Sequence, residues 1–313
     1  MGFISGIFGY LLNWLYEVFS NYGVAILIFS VILRVILIPI TIKQQKSMKK
    51  SAALQAEMLE IQKKYKNNPE KLNQETIELY KREKMSPFSG CLTSILQLVI
   101  ILSVFWLVSQ PLTYMKKIDN NLIDAYTTEM KESGYSSNNS YVQIATIDYA
   151  ETKYQEISKQ LEQENVENRE ELVKKQQEYN QLRLNMEFLG IDLSKVPTQN
   201  LNDWRVYVIP VLYVITSIIS TKLTTVTQKK KQKQDIVVSG EEDNKEVDPT
   251  EQMQQMSNSM MYMIPVMSVM IAIIAPLGLA LYWLASNILM IIERLIINKV
   301  MEKDDNKEES SNG

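Results

Sequence analysis

The sequence predicts an all-α, polytopic membrane protein with five transmembrane helices around a hydrophilic groove and a cytoplasmic helical hairpin. The first observation is the distribution of charge: 22% of the 313 residues are charged, yet several long windows contain almost no charge. The second is the length of those windows, since about 20 apolar residues span a hydrocarbon core of about 30 Å. The third is a single arginine, Arg34, inside the first window.

Four apolar runs define the five predicted spans, because the longest run must cross the bilayer twice. Residues 260–292 contain no charged side chain, and as one helix they would extend about 50 Å. Pro276 and Gly278 favour a turn inside this run. The predicted spans are residues 23–42, 91–112, 204–221, 259–276 and 277–298.

The distribution of lysine and arginine predicts the orientation. Residues 1–33 contain neither, whereas residues 43–90 contain eleven beside six acidic residues. Because cytoplasmic loops are enriched in Lys and Arg, we expect the N-terminus outside and residues 43–90 in the cytoplasm. Five crossings then place residues 113–203 outside, and residues 222–258 and the tail 299–313 in the cytoplasm. The segment 113–203 has ten basic and sixteen acidic residues, which agrees with an outside position.

The polar segments outside the spans are predicted to be mostly helical. Residues 1–22 are typical of an interfacial amphipathic helix, with an apolar side and a polar side marked by Ser5, Asn13 and Glu17. Residues 43–90 have helical apolar spacing on both sides of Asn67-Asn68-Pro69, which predicts a hairpin. Its basic residues could contact headgroups, RNA or a partner protein, and a solvated loop without a ligand is equally open. These candidate contact residues are Lys46, Lys49, Lys50, Lys63 and Lys64.

Residues 113–203 form the predicted extracytoplasmic helical insertion, which has a turn at 136–140 followed by a long Glu/Lys/Gln-rich helix. The pattern allows a small packed cap or a solvated coiled coil, and it favours the coiled coil. Charged, low-complexity sequence indicates disorder from Gln228 to Gln255 and in the tail from Glu302.

Composition excludes several classes of chemistry. The chain has no histidine, so Ser-His-Asp and Cys-His catalytic sites and histidine metal sites are excluded. One cysteine, Cys91, allows neither an internal disulfide nor a thiolate cluster. The net charge of −3 gives no basic face for nucleic acid. The sequence therefore predicts no catalytic residues, no metal and no cofactor, and a physical rather than an enzymatic function.

Arg34 is the residue that points to a function. It follows Val24 by ten residues and precedes Ile42 by eight, so it lies near the middle of the first span. An arginine there costs about 2.5–3.5 kcal/mol on insertion scales. Glu17 and Glu293 only flank the charge-free runs, which predicts that Arg34 has no carboxylate partner. Water and neutral polar groups would then satisfy it in a cationic groove that attracts an acidic segment of a client chain. The candidate neutral groups are Gln97, Ser103, Thr216, Ser217, Ser286 and Asn287.

Four separated motifs resemble the YidC/Oxa/Alb membrane insertases, in their Gram-positive YidC type. They are residues 34–48 (RVILIPITIKQQKSM), Ser89-Gly90-Cys91, residues 188–193 (FLGIDL) and residues 278–287 (GLALYWLASN). The resemblance implies a groove, open to the cytoplasm and the lipid, that receives a client's hydrophilic segment while its apolar segment enters the bilayer. Arg34 matches the family's arginine, and Gln97, Tyr282 and Trp283 match polar or aromatic positions on the groove side.

The resemblance also implies partners and a location. These are nascent membrane-protein clients, the Sec translocon and lipids in a bacterial plasma membrane, with no small-molecule substrate. The acidic tail predicts only weak ribosome binding, and the insertion is longer than in typical Gram-positive relatives. An anion or small-solute transporter that uses Arg34 is the alternative function, although the two halves show no repeat of the kind common in transporters. A membrane-anchored scaffold ranks third because it leaves Arg34 unexplained.

Overall fold

The computed structural model describes residues 2–83, 89–135, 141–163, 168–235 and 270–311. Within these ranges the protein is helical apart from one two-stranded hairpin, which confirms the predicted all-α membrane fold. The helices are α1 (Gly2–Phe19), α2 (Tyr22–Lys64), α3 (Pro69–Arg82), α4 (Ser89–Ser109), α5 (Pro111–Tyr114), α6 (Asn120–Glu132), α7 (Val142–Leu161), α8 (Arg169–Leu182), α9 (Val208–Asp235) and α10 (Leu277–Ser311).

Three stretches in the described residues are long and apolar enough to cross a membrane. They are Tyr22–Ser47, Trp204–Leu223 and Leu277–Ile297, which overlap the predicted first, third and fifth spans. Helix α4 contributes a shorter apolar stretch, Leu98–Ser109, within the predicted second span. Most of the predicted fourth span, up to residue 269, lies outside the described residues, as does the predicted turn at 136–140.

The chain divides into two compact units. Unit 1 comprises Met1–Leu33, Val99–Val214 and Val269–Ser286, and unit 2 comprises Arg34–Leu98, Ile215–Ser268 and Asn287–Gly313.

In unit 1, the amphipathic helix α1 packs through its small residues. The Ser5 hydroxyl is buried and donates to the carbonyl of Ser103 on α4 at 2.9 Å, so placing Ser5 on a polar outer side was wrong. A Cβ atom on Gly9 would lie 1.8 Å from the carbonyl oxygen of Tyr114, which shows how closely α1 approaches α5. Small residues allow such close contact between backbones. An apolar stripe on α1 is exposed instead: Phe3, Ile7, Tyr10, Trp14 and Val18.

The helical insertion of unit 1 is a packed structure, so the favoured coiled-coil interpretation was wrong. Helices α6, α7 and α8 bury Met130, Ile147 and Leu182, each at most 1% exposed. A coiled coil needs a partner helix for its apolar stripe, whereas three short helices here bury their stripes against one another. The helical periodicity was correctly identified, but the partner of each stripe depends on contacts distant in sequence.

A β-hairpin joins the insertion to two long helices of unit 1. Strands β1 (Glu187–Phe188) and β2 (Ile191–Asp192) pair antiparallel through a turn in which Leu189 and Gly190 both have positive φ. Two consecutive positive φ values are typical of a type I′ turn. Carbonyls of residues that flank this hairpin accept hydrogen bonds from the N-terminal backbone of α2 and of α10: Tyr22 N–H donates to Asn185 and Gly278 N–H to Leu193, both at 2.9 Å. The hairpin therefore caps the first turns of both helices.

Unit 2 contains the predicted hairpin, formed by the second half of α2 and by α3. The chain breaks where the sequence predicted: the Asn68 side chain accepts from Lys71 N–H at 3.1 Å, and Pro69 begins α3. Leu54 and Leu79 are buried, and Arg82 forms an ion pair with Glu57 on α2. Helix α2 continues without interruption from the first apolar stretch into this hairpin.

Two helices extend into segments that were expected to be disordered. Helix α9 continues to Asp235, past Gln228, and α10 continues to Ser311, past Glu302. Extending an existing helix requires no new nucleus, so charged residues that are good helix formers can follow an apolar helix. Residues 236–269 lie outside the described part of the chain.

Candidate functional site: an arginine–glutamate pair between apolar helices

Arg34 has a carboxylate partner in unit 2. Its Nη1 lies 3.3 Å from Oε2 of Glu293, and the side chains are only 15% and 6% exposed. The prediction that Arg34 lacks a carboxylate partner was therefore wrong. The charge-free run ends at Ile292, so Glu293 was treated as flanking it and not as a partner of Arg34, but α10 continues as one helix through Glu293.

A second arginine lies beside this pair. Arg294 Nη1 donates to the backbone carbonyl of Ser220 on α9 at 3.5 Å, and it interacts electrostatically with both Glu293 and Arg34. The cluster of Arg34, Glu293 and Arg294, here called the Arg34 cluster, therefore contains two cations and one anion. Its formal charge is positive even though Arg34 is paired.

Polar residues of α9 and α10 continue the site within unit 2. Asn287 is buried, and its Nδ2 lies 3.5 Å from the hydroxyl of Thr216. The carbonyl of Ser217 accepts a hydrogen bond from Thr221 one turn later. Asn287 precedes Glu293 by six residues, which is about 9 Å along a helix. Of the neutral polar groups expected near Arg34, Thr216 and Ser217 thus lie on α9 and Ser286 and Asn287 on α10, the helix that carries Glu293, whereas Gln97 and Ser103 lie on α4.

Comparison with known proteins identifies the family. The family described as the 60 kDa inner membrane protein, which is the YidC/Oxa/Alb family, matches residues 14–304. The chain belongs to this family. The resemblance to the family is confirmed over almost the whole sequence, including the segments that carry Arg34 and Glu293, and the Gram-positive type stays a prediction.

Individual relatives carry the name "Membrane protein insertase YidC". The chain is 42% identical over 105 residues to the protein of Caldanaerobacter subterraneus subsp. tengcongensis, an alignment that covers 34% of this chain and 51% of the relative. It is 25% identical over 288 residues to the protein of Treponema denticola, covering 92% of this chain and 36% of the relative. The Fusobacterium nucleatum protein is 41% identical over 96 residues, or 31% and 47% of the two chains. These alignments span about half or less of the relatives' own lengths.

The other residues suggested by the YidC/Oxa/Alb resemblance lie in different surroundings. Tyr282 is buried in unit 1, and Trp283 lies against Tyr213 in the same unit, with ring centroids 6.1 Å apart. Gln97 lies on α4, and its side chain is outside the described part. In the hairpin, Lys46 and Lys64 are exposed, and Lys64 lies over the Tyr65 ring. Lys49, Lys50 and Lys63 are described only by their helical backbone.

A polar cleft in the helical insertion is a feature that sequence analysis missed. Its volume is about 810 Å³, and paired charges line it, including Arg183 with Glu151 and Lys195 with Asp148. Burial, together with the nearby charge of Arg183, lowers the pKa of Lys116 in this cleft to about 8. No spacing signal joins these residues, because they come from the end of α5, from α7 and from the chain after α8.

Glu293 and Arg294 are the functional candidates that sequence reasoning passed over. A signal existed, since Glu293 follows the last apolar run immediately and has Arg294 beside it. The predicted span 277–298 already placed both residues in the same helix as Asn287, but their charge was not connected with Arg34.

Proposed function

We propose that the protein is a membrane protein insertase and chaperone. It takes transmembrane segments of client proteins from the cytoplasm into the bilayer through a cationic hydrophilic groove at Arg34. No covalent chemistry is involved. The observation that carries the proposal is a largely buried, charged Arg34 on an apolar helix, accompanied by a second arginine and by polar residues of α9 and α10. The names of the similar relatives support the same function.

The physical argument concerns the energy of a polar segment that must cross an apolar layer. A charged or polar client segment loses its hydration in hydrocarbon, which is unfavourable by several kcal/mol for each unsatisfied group. Buried cations and hydroxyls on neighbouring helices provide alternative partners. At an effective dielectric constant of about 20, opposite unit charges 4 Å apart attract by about 4 kcal/mol. A net positive cluster therefore favours acidic client segments.

The proposed orientation has the N-terminus outside and the C-terminus in the cytoplasm. Its support is the basic 43–90 segment and the exposed apolar stripe of α1, which suits a helix lying in the outer interface. The helical insertion then lies outside and the α2–α3 hairpin inside. Clients and lipids are the proposed partners, in a bacterial plasma membrane, and the Sec translocon and weak ribosome binding remain predictions of the family resemblance.

Cysteine labelling tests this orientation. In a Cys91→Ser background, Glu60→Cys in the hairpin and Gln160→Cys on α7 both introduce thiols at exposed positions. We expect an impermeant thiol reagent added to intact cells to label only position 160, and to label both positions after the cells are permeabilised. Labelling of position 60 alone in intact cells would invert the proposed topology.

Reconstitution tests the insertase function. Purified protein in phospholipid vesicles should protect the translocated end of a single-span client from added protease, whereas empty vesicles should not. The matched clients carry an acidic translocated end or the same end with each acid changed to its amide. We expect stronger protection of the acidic client by the protein.

The transporter alternative predicts a different result in the same vesicles. Equal client protection with and without the protein, accompanied by uptake of a small anion that Arg34→Gln abolishes, would replace the insertase proposal by an anion transporter.

A further inference from the structure

The starting observation is how poorly Glu293 is satisfied by its surroundings. Both carboxylate oxygens are buried, and among the described residues neither receives a hydrogen bond in bonding geometry. Its ionic contact with Arg34 has an Nη1–Oε2 distance of 3.3 Å, and it is not the two-bond fork of a hydrogen-bonded arginine–carboxylate pair. A guanidinium can present two parallel N–H groups to one carboxylate, and such pairs are considerably stronger.

A buried ion pair without supporting hydrogen bonds is a weak stabiliser. The desolvation of two charges can exceed their mutual attraction, unless good geometry and further hydrogen bonds compensate for it. The Arg34–Glu293 contact has neither feature on its glutamate side. A second carboxylate that approached Arg34 with better geometry could therefore replace Glu293 at little net expense in free energy.

The charge balance of the Arg34 cluster favours such an exchange. Arg294 interacts electrostatically with Glu293 as well as with Arg34, so these three of the described residues comprise two cations and one acid. When an incoming carboxylate takes Arg34, Glu293 still has an adjacent cation. The cluster can thus accept one more negative charge without leaving a buried carboxylate alone.

We propose that Glu293 is a specificity-determining residue that competes with the acidic groups of clients for Arg34. The inference rests on the proposed insertase function and deepens it. In the resting protein Glu293 occupies the guanidinium, and a client engages only when its own carboxylates displace Glu293. Glu293 therefore sets how many acidic residues a translocated segment needs before it binds at Arg34. Neutral segments, which do not compete for Arg34, are unaffected by it.

The test is Glu293→Gln, which keeps the side-chain shape and removes the competing charge. It is assayed in the same vesicles with clients that carry no acid, a single acid or several acids in the translocated end. We expect insertion of the single-acid client to rise about tenfold, which corresponds to about 1.4 kcal/mol. Insertion of the neutral client should not change. The matched control is Glu60→Gln on α2, an exposed glutamate that should leave all three clients as in the wild type.

The outcomes separate this inference from the proposed function. Suppose that the wild type inserts acidic clients and that Glu293→Gln changes the insertion of the neutral, single-acid and several-acid clients by the same factor. The proposed competition is then wrong, and the insertase function stands. If the wild type inserts no client, the proposed function itself fails. A structural role for Glu293 alone predicts the same loss for all clients.

A second variant covers the case in which Glu293→Gln does not fold. Glu293→Asp keeps the charge but shortens the side chain by one methylene group, which weakens the contact with Arg34. It should shift insertion in the same direction, with a smaller gain for the single-acid client. An unchanged dependence on client acidity in a folded Glu293→Asp protein would overturn the proposal.

Discussion

Two arginine–glutamate pairs in this protein have the same chemistry but opposite surroundings. In the helical insertion, Arg183 makes two hydrogen bonds to Glu151, Nε to Oε2 at 2.5 Å and Nη2 to Oε1 at 3.0 Å. Its guanidinium also stacks 3.6 Å from the centroid of the Tyr154 ring. In the Arg34 cluster, Arg34 Nη1 lies 3.3 Å from Glu293 Oε2 without a hydrogen bond to either carboxylate oxygen, and Glu293 is far more buried than Glu151.

The difference indicates which pair is fixed and which can exchange. The Arg183–Glu151 pair keeps contact with solvent, so it loses little hydration. It gains the two-bond geometry that makes arginine–carboxylate pairs strong. The Arg34–Glu293 pair loses most of its hydration, and the carboxylate of Glu293 receives no hydrogen bond from the described residues in return. The geometry of the first pair is therefore that of a structural ion pair, whereas the second pair has the weak hydrogen bonding on which the proposed exchange rests.

The rest of the insertion follows the pattern of the fixed pair. The Tyr126 hydroxyl donates to Glu178 at 2.5 Å, and both Tyr149 and Tyr179 donate to Glu129. Burial, reinforced by these bonds, raises the pKa of Tyr126 and of Tyr179 above the ordinary tyrosine value. Glu178 and Glu129 each accept a hydrogen bond from a tyrosine. Satisfied polar networks of this kind specify one packing arrangement.

The largest expected effect comes from reversing the charge of each arginine. Arg34→Glu replaces an attraction of about 4 kcal/mol by a repulsion of similar size, both toward client acids and toward Glu293. We expect insertion of acidic clients to be abolished, while Arg34→Lys keeps much of it because a cation remains. The measurement is protease protection of matched acidic and amide clients in vesicles.

The matched control is Arg183→Glu in the insertion. It breaks a better-formed ion pair, so it should lower the thermal stability of the protein, yet acidic and amide clients should keep their relative insertion. Equal losses of both clients in Arg34→Glu would show that Arg34 has a structural role and that client charge is not recognised there.

Sequence analysis recovered elements whose signal is local. The apolar runs, the break at Asn68-Pro69 and the helical content depend on residues within a few turns of one another, and patterns of that length are visible in one sequence. Arg34 was also identified from sequence alone, because a charge within an apolar run is conspicuous. Residues 188–193 were recognised as a family motif, but neither the β-hairpin that they form nor its contacts with the first turns of α2 and α10 were foreseen.

The remaining features depend on pairings distant in sequence, which one chain does not reveal. Glu293 lies 259 residues after Arg34, and no periodicity connects the two. Ser5 was assigned to a polar face because it is a polar residue, whereas a carbonyl 98 residues away makes it an interior residue. Hydropathy marks where apolar residues stop and not where a helix stops, so α10 continues past Glu302, where disorder was expected.

A smaller effect is expected from the contact that holds α1 against the base of the insertion. Gly9→Ala places a Cβ atom against the backbone carbonyl of Tyr114, which cannot move as a flexible side chain would. Overpacking of this kind typically costs about 1–3 kcal/mol. We expect a lower midpoint of thermal unfolding in detergent, despite the better helix propensity of alanine.

Gly6→Ala on the same helix is the matched variant. Its Cβ atom would lie 3.5 Å from Lys117 Nζ, an ordinary contact with the end of a flexible side chain. Alanine is favoured over glycine in a helix by about 1 kcal/mol, so this variant should be as stable as the wild type or more stable. Equal destabilisation by both variants would mean that the close approach of α1 and α5 is not what the glycines provide.

The smallest expected effect is a dependence of stability on acid pH that arises from the Arg183–Glu151 pair. Burial by itself raises the pKa of Glu151, and the nearby charge of Asp148 also raises it. The hydrogen bonds from Arg183 and Gln155 outweigh both effects and hold the pKa below its ordinary value. Because the folded-state pKa is lowered, the stabilisation is present above the ordinary glutamate pKa of about 4.3 and is lost as the pH falls through the lower folded value. Since the pair is partly exposed, we expect it to contribute about 0.2–1 kcal/mol to the free energy of unfolding.

Glu151→Gln should therefore be less stable than the wild type at neutral pH, and the difference between their unfolding midpoints should shrink as the pH falls below about 4.3. Arg183→Gln, which removes the same pair from its other side, should show the same convergence with the wild type. Parallel stability curves for all three proteins down to the acid limit of folding would show that this pair contributes nothing, and the contrast with the Arg34 cluster would then rest on geometry alone.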